Sequence, residues 1–293
     1  MARLLDKYEE LVHAEVQAVA ARFDLSVFPK VRVADVLEPE TLGVTGALKS
    51  YALASHFDFV ICRNKFDTAY AIEFDGASHA APKQIERDAK KDRLCQIGDF
   101  PLLRINSQHL SKRFGPMSLL AWLMEVHEMQ LAFYEAQTRG EISPDEDFDP
   151  FWLMSMDPGE ARFPYSFAAK ARYKLQVLKK RGKIVDGHSS GFVGRGTDGV
   201  LHGYNFIRVT PETAITVKSS MRPHRFPAPL MELLDEILAV LLTEEVDLYL
   251  AGQIGALPVA EVVKRWTSLR SGLSMGSTHT AGFEGFPPPE RRT

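Results

Sequence analysis

Three acidic side chains, Asp58, Glu73 and Asp75, occur in two short apolar segments and could together hold a divalent cation. Successive side chains of a strand point to opposite faces, so Glu73 and Asp75 share one face. Asp58 can lie beside them if the two segments pair as a hairpin. Crowded carboxylates repel one another and are costly without a cation. Their oxygens suit Mg²⁺ or Mn²⁺ rather than zinc, and such an ion can polarise a phosphodiester and activate water.

The same acids could instead line a solvated sheet face, which is the usual meaning of isolated carboxylates in strands. Their sequence context favours chemistry. Asp58 and Glu73 interrupt the otherwise apolar runs Phe-Asp-Phe-Val-Ile and Ala-Ile-Glu-Phe-Asp-Gly. A charge buried among apolar side chains needs a compensating partner.

Four short motifs in a fixed order resemble the bacterial domain-of-unknown-function family 2726. They are Phe-Asp-Phe-Val at 57–60, Ile-Glu-Phe-Asp-Gly-x-x-His at 72–79, Arg-Asp-x-x-Lys at 87–91 and Pro-Leu-Leu-Arg-Ile at 101–105. The segment 30–37 also resembles that family, and the likeness covers about residues 5–110. The resemblance implies the PD-(D/E)XK nuclease superfamily, close to the very-short-patch-repair endonuclease-like group.

This resemblance implies a restriction-endonuclease-like α/β core, in which helices flank a mixed central sheet. It also implies a nuclease that uses Mg²⁺ or Mn²⁺ to hydrolyse DNA, with RNA left open as a substrate, in host defence or DNA repair. The alternative is a domain that keeps the fold but only binds nucleic acid or docks onto a partner.

The resemblance assigns a role to each matched position. Asp58 and Glu73 match the first and second metal-binding acids. Asp75 stands where the superfamily carries its lysine, so that lysine's task of steadying the attacking water must come from elsewhere. Lys91 is the candidate cation. His79 is a candidate base or further metal ligand, or it only hydrogen-bonds near the turn that follows the strand.

Further charged residues have two interpretations each. Glu9 or Glu15 on the first helix can complete the metal site, and either can be a solvated helix edge. Arg87 and Lys91 lie four residues apart on one helix face and can point at one phosphate, or they belong to a salt-bridged surface. Arg104 ends an apolar strand, where it can contact nucleic acid or pair with a structural carboxylate.

Alternating helix and strand patterns position these residues within a predicted domain at 1–138. The predicted helices lie at about 2–22, 82–97 and 116–137, and the predicted strands at 28–36, 56–62, 69–75 and 101–105. The helix at 82–97 is rich in charged residues, and Gly98 marks its end.

A change of composition predicts a second, smaller α+β domain at 151–270, after an acidic linker at 139–150. Its role can be DNA binding or docking onto a protein partner. The tail at 271–293 is rich in Gly, Ser, Thr and Pro, which predicts disorder. The predicted elements are a basic helix at about 166–182, a glycine-rich stretch at 187–203, strands at 200–209 and 213–219, and helices near 228–242 and 258–270.

A basic stripe runs from residue 162 to residue 185 without any Asp or Glu, and aromatic residues interleave with it. Such a stripe suits phosphate binding, because each neutralised phosphate releases counterions; a solvated helix face is the alternative. Its cations are Arg162, Lys170, Arg172, Lys174, Lys179, Lys180, Arg181 and Lys183.

A glycine motif at 194–199 matches G-x-G-x-x-G but leads into a strand. A dinucleotide-binding motif leads from a strand into a helix, so the match predicts a flexible or hairpin-flanking loop instead.

Bulk composition excludes some classes of protein. The chain has 293 residues, of which 45% are hydrophobic and 25% charged, with a net charge of −3, so no global basic field indicates nucleic acid. The chain has only two cysteines and no signal-like start, which predicts a reduced, cytoplasmic protein. It has no apolar run of about 18 residues, which predicts that no segment spans a membrane.

Overall fold

The computed structural model describes residues 5–75, 82–111, 114, 117–150, 166, 168–222 and 225–279. The chain divides into two compact units. The first lies within 1–113, 117–148 and 224–228, and the second within 114–116, 149–223 and 229–293. The main division, between residues 148 and 149, falls inside the predicted acidic linker.

The first unit is a mixed four-stranded sheet with helices. Its strand order is β1-β2-β3-β4, in which β1, β2 and β3 are antiparallel neighbours and β4 runs parallel to β3. The elements are α1 (Lys7–Ala20), β1 (Ser26–Arg32), α2 (Val33–Leu37), α3 (Gly46–Ala54), β2 (His56–Arg63), β3 (Asp67–Phe74), α4 (Pro82–Ile97), β4 (Leu102–Ile105) and α5 (Leu119–Thr138).

Local signals in the sequence explain where the helices begin. The Asp6 side chain caps α1 and the Glu9 side chain accepts from the Asp6 amide, which completes a capping box. The apolar stripe of α1 is buried through Val12, Val16 and Val19. Ser118 caps α5 by accepting from the amide of Ala121 at 3.0 Å.

The strands around the candidate acids and helix α4 agree with the predictions, but two other elements differ. The strand predicted at 28–36 ends at Arg32, because Val33 and Leu37 bury themselves at helical spacing in α2. Their β-branched and apolar neighbours made the segment resemble a strand. Helix α3 lies between the predicted strands at 28–36 and 56–62, where no element was predicted.

The second unit is an antiparallel sheet in the order β8-β7-β6-β5-β9. Helices α7 and α8 pack on its opposite faces: Leu234 and Leu238 contact one side of the sheet, and Val262 and Trp266 the other. The elements are α6 (Ala169–Lys180), β5 (Ser190–Arg195), β6 (Leu201–Arg208), β7 (Thr213–Met221), α7 (Leu230–Leu250), β8 (Leu257–Pro258), α8 (Val259–Arg270) and β9 (Ser274–His279).

Three strands of this unit, β5, β8 and β9, lie where none was predicted. Strand β5 falls in the glycine-rich stretch, where a Cβ at Gly191 would come within 2.8 Å of the Asn205 side chain. Glycine there allows a close approach of neighbouring strands. Strand β9 falls in the tail predicted to be disordered and pairs with β5, so the unit extends at least to His279 and the prediction for 271–279 is wrong. Residues 280–293 lie outside the described residues.

The glycine motif at 194–199 forms the loop of the β5–β6 hairpin, as predicted. The amide of Gly196 donates to the Val200 carbonyl at 2.8 Å, and Gly199 has a φ of +79° that suits glycine. Both cysteines are free and buried. Among the residues that the structure describes, no helix is long and apolar enough to cross a membrane.

Candidate active site

Asp58 and Glu73 face each other on neighbouring strands. Antiparallel pairing of β2 with β3 joins Phe59 to Ile72, which places the two acids opposite one another in the next position. The Asp58 amide donates to Glu73 Oε1 at 3.2 Å, and the Phe74 amide donates to Asp58 Oδ2 at 2.9 Å. Each carboxylate is therefore held by the backbone of the other strand.

Lys91 reaches Glu73 from helix α4. Its Nζ donates to Glu73 Oε2 at 2.6 Å and to the His56 carbonyl at 2.8 Å, and both side chains are only 8% exposed. The ammonium also lies 5.5 Å from the ring centroid of Phe57. The structure thus brings the predicted candidate cation beside the predicted second acid.

Lys30 is a site residue that the sequence analysis missed. Its Nζ donates to Asp58 Oδ1 at 2.8 Å and to Glu9 Oε1 at 2.5 Å. Its φ of +54° is uncommon for a residue other than glycine, and the Lys30–Asp58 pair is absent from the otherwise continuous pairing of β1 with β2. A lone charge inside an apolar strand was the only signal in the sequence.

The structure distinguishes the two acids considered on the first helix. Glu9 is joined to Asp58 through Lys30. Glu15 accepts a hydrogen bond at 2.6 Å from the hydroxyl of Ser118, which caps α5. Glu15 is therefore committed to a helix contact, and Glu9 is the one brought to the candidate site.

Arg104 pairs with structural carboxylates, the second of its two predicted interpretations, and it is too deeply buried for the predicted contact with nucleic acid. Its side chain is 6% exposed and pairs with Asp75 at 3.0 Å, Asp92 at 3.0 Å and Asp88 at 3.4 Å. A guanidinium so deeply buried requires counter-charges. Asp75 therefore lies beside Arg104, which it contacts through Oδ1.

Arg87 and Lys91 do not share one phosphate-facing surface, which corrects a second expectation. Arg87 is exposed and has no side-chain partner among the residues that the structure describes. Lys91, one turn further along α4, is buried because its ammonium turns inward to Glu73. The predicted His79 lies outside the described residues.

Burial and neighbouring charges shift the pKa values of several site residues. Burial raises the pKa of Glu73 to about 7, with repulsion from Asp58 adding to the rise and Lys91 opposing it. Burial, with the charge of Glu73 adding, raises the pKa of Tyr51 to about 12. Burial acts to lower the pKa of Lys30, but its hydrogen bonds to Asp58 and Glu9 outweigh that effect and raise it. Lys30 is therefore firmly charged.

Among the residues that the structure describes, the site brings together more carboxylates than cations, and crowded carboxylates favour a bound cation. The acids are Glu9, Asp58, Glu73, Asp75, Asp88 and Asp92, and the cations are Lys30, Lys91 and Arg104.

The donor set fits a hydrated hard cation better than a fully enclosed one. Within the described residues, no three His, Cys, Asp or Glu side chains are arranged to hold a metal ion. Mg²⁺, however, keeps several water ligands and commonly binds through one or two carboxylates plus substrate phosphates. Asp58 and Glu73, adjacent on facing strands, provide such a pair.

The predicted basic stripe is divided by its contacts in the second unit. Arg172 pairs with Asp235 and Glu236, and Lys174 pairs with Asp247. We call the remaining predicted cations of the stripe the basic surface; they are exposed and have no side-chain partner among the described residues. The basic surface consists of Lys170, Lys179, Lys180, Arg181 and Lys183. Arg162 lies outside the described residues.

A known protein family matches most of the first unit. No curated protein and no solved structure matches the chain. Residues 1–113, which contain Asp58, Glu73 and Lys91, match the family described as protein of unknown function (DUF2726).

Proposed function

We propose that the first unit is a metal-dependent nuclease of the PD-(D/E)XK type that hydrolyses DNA phosphodiester bonds. One observation carries the proposal: Asp58 and Glu73 lie opposite each other, and Lys91 Nζ lies 2.6 Å from Glu73 Oε2. The mixed sheet with helices in the first unit is of the α/β class that the family resemblance implies, which supports the proposal.

Asp58 and Glu73 would hold Mg²⁺ or Mn²⁺, and the bound ion would supply Lewis-acid activation of water and phosphate. The chain's own residues prepare these ligands. The Phe74 and Asp58 amides fix the orientation of the two carboxylates. Lys91 stabilises the ionised form of the deeply buried Glu73, which burial alone would keep protonated. In this proposal Lys91 is a positioning residue that replaces part of the missing lysine's role.

A second candidate function is a nucleic-acid-binding module that retains the fold without turnover. The observation that favours it is the neutralisation of each central acid by a protein cation. Lys30 pairs with Asp58, Lys91 with Glu73, and Arg104 with Asp75. A site that carries its own counter-ions has less need of a metal.

We propose that DNA also contacts the basic surface of the second unit. Exposed lysines and arginines without carboxylate partners are free to neutralise phosphates. Arg172 and Lys174 are less available, since acids of α7 already engage them. Docking of the second unit onto an acidic protein partner is the alternative use of the same surface.

The deciding experiment is a cleavage assay on single-stranded, double-stranded and supercoiled DNA, with Mg²⁺ or Mn²⁺ and with EDTA. Asp58→Asn and Glu73→Gln are expected to lower the cleavage rate about a thousandfold, the effect of losing a metal ligand worth several kcal/mol. Asp67→Asn is the matched control, because Asp67 begins the same strand β3 but is exposed, and its side chain accepts a hydrogen bond from Asn64.

The outcomes separate the two candidate functions. Cleavage that survives both site substitutions would contradict the assignment of the site. Binding of DNA without cleavage under every metal condition would favour the inert module. Equal loss in Asp67→Asn and Glu73→Gln would attribute the effect to the strand rather than to the site.

A further inference from the structure

The ammonium of Lys30 occupies the space between two acids of the candidate site. It donates to Glu9 and to Asp58, and its side chain retains 28% of its exposure. The Glu9 carboxylate is fixed on its other side by the Asp6 amide at 2.9 Å. Lys30 is thus a cation held by pre-oriented carboxylates, one of which is a proposed metal ligand.

The backbone at Lys30 indicates that this placement is specified rather than incidental. A φ of +54° is costly for a side chain with a Cβ, and it occurs directly opposite Asp58. The neighbouring pairs of the same ladder, Pro29 with Phe59 and Val31 with Phe57, are intact. The distortion is therefore local to the residue that carries the ammonium.

Two cations cannot share the Asp58 carboxylate without repelling each other. A divalent ion bound by Asp58 would lie close to the Lys30 ammonium, and like charges at short range in a partly buried site oppose each other strongly. By linkage, each cation then weakens the binding of the other by the same factor. The partial exposure of Lys30 gives its flexible side chain a route towards solvent.

Building on the proposed function, we propose that Lys30 is the resident cation of the metal-free site. Its ammonium leaves Asp58 when a divalent cation binds, so Lys30 sets how tightly the site takes its metal. Lys30 bridges Glu9 and Asp58 while no metal is present and releases both carboxylates when one arrives.

The test is Mn²⁺ binding at one fixed pH, measured from the loss of the free-ion electron paramagnetic resonance signal. Lys30→Met removes the ammonium, and Lys30→Asn does the same with a residue that tolerates the left-handed backbone. Both are expected to bind Mn²⁺ about tenfold more tightly than the wild type, an ordinary size for coupling between two ligands. Lys30→Arg keeps the charge and is expected to bind like the wild type.

Two controls separate this effect from global charge and from failure of the metal site. Lys49→Met removes one lysine paired with Glu40 on the protein surface and is expected to leave Mn²⁺ affinity unchanged. Asp58→Asn is expected to abolish binding. If Asp58→Asn weakens binding but both neutral Lys30 variants bind no more tightly than the wild type, the inference about Lys30 fails alone. If no variant and no wild-type protein binds Mn²⁺, the metal site fails with it.

A measurement on the wild type avoids any question of folding in the variants. The rate of acylation of the Lys30 amine, followed by mass spectrometry, is expected to rise severalfold when Mn²⁺ is added, because the amine is released from Glu9 and Asp58. Lys49 serves as the internal reference. An unchanged or lower rate at Lys30, with Mn²⁺ demonstrably bound, would overturn the proposal.

Discussion

The two units use basic residues in opposite ways. In the first unit, Lys91 and Arg104 are almost fully buried and each contacts carboxylates. In the second unit, Lys179, Lys180 and Arg181 are exposed and have no side-chain partner in the described part of the chain. A buried cation is stable only with its counter-charge, whereas an exposed one costs little and stays available to phosphate. The same residue types therefore serve an internal site in one unit and a surface in the other.

The difference between buried and exposed cations is tested most directly by removing one cation from each unit. Arg104→Met leaves three carboxylates without their shared partner and is expected to lower the free energy of unfolding by about 3–5 kcal/mol. Arg181→Met removes a solvated charge and is expected to change it by less than about 0.5 kcal/mol. Urea unfolding followed by hydrogen exchange of peptides from β2 and β3 assigns the loss to the first unit. A loss below about 1 kcal/mol for Arg104→Met would contradict a structural role for that residue.

The first unit also shows which features of a site can be predicted from sequence patterns. Asp58 and Glu73 could be found because each interrupts an apolar strand, and strand pairing then places them together. Helix α4 was placed by its charge pattern and Gly98, and Lys91 by its motif. These inferences depend on local periodicity, which the structure preserves.

The environments of Arg104 and Lys30 could not be predicted in this way. Arg104 contacts Asp75, which directly follows strand β3, and Asp92 of α4, and only the packing of α4 against the sheet brings these acids together. Lys30 depends on the register of β1 with β2 and on an unusual backbone conformation. Strand β9 could not be predicted either, because its segment is polar and it forms a strand by pairing with β5.

A second, somewhat smaller effect concerns the pH dependence of stability in the first unit. Because the pKa of Glu73 is raised from 4.5 to about 7, the folded protein binds this proton more tightly than the unfolded chain does. Its contribution to stability is fully present below pH 4.5 and is lost as the pH rises through about 7. The loss is expected to total about 3 kcal/mol, since one pKa unit corresponds to about 1.36 kcal/mol.

The contribution of His127 to stability changes with pH in the opposite direction over part of this range. Burial lowers the pKa of His127 to about 4, so its contribution to stability is present above pH 6.5 and is lost as the pH falls through about 4. The informative quantity is therefore a difference between the wild type and a Glu73→Gln/Lys91→Met variant, which keeps His127. In EDTA, the wild type is expected to lose stability relative to this variant as the pH rises from 4.5 to 8. A constant difference would contradict a raised pKa at Glu73.

Adding Mg²⁺ tests the ionisation of Glu73 in a second way, through the unfolding temperature. Saturating Mg²⁺ stabilises whichever state binds it, and the proposed ligand must be ionised to do so. Mg²⁺ is expected to raise the unfolding temperature of the wild type more at pH 8 than at pH 6 and to leave the double variant unchanged. Equal shifts in both proteins would indicate that Mg²⁺ binds elsewhere.

The smallest effect is expected at the basic surface of the second unit. Replacing Lys179, Lys180 and Arg181 by glutamine is expected to weaken DNA binding about tenfold, equivalent to roughly 1.4 kcal/mol. The slope of log affinity against log salt is expected to fall by about 2 to 3, because about one counterion is released for each phosphate contact. Fluorescence anisotropy of a labelled duplex at several salt concentrations measures both quantities.

A matched pair on helix α6 tests whether availability, rather than charge alone, makes this surface bind. Lys180→Gln and Lys174→Gln remove the same charge from the same helix, but Lys174 is paired with Asp247 and Lys180 has no such partner among the described residues. Because Asp247 already competes with phosphate for the Lys174 ammonium, Lys174→Gln is expected to change the salt slope by clearly less than Lys180→Gln. Equal slopes would show that only the net charge of the unit matters. If DNA affinity is unchanged when Lys179, Lys180 and Arg181 are all replaced by glutamine, the basic surface does not bind DNA. Binding of an acidic protein partner would then be the remaining proposal for it.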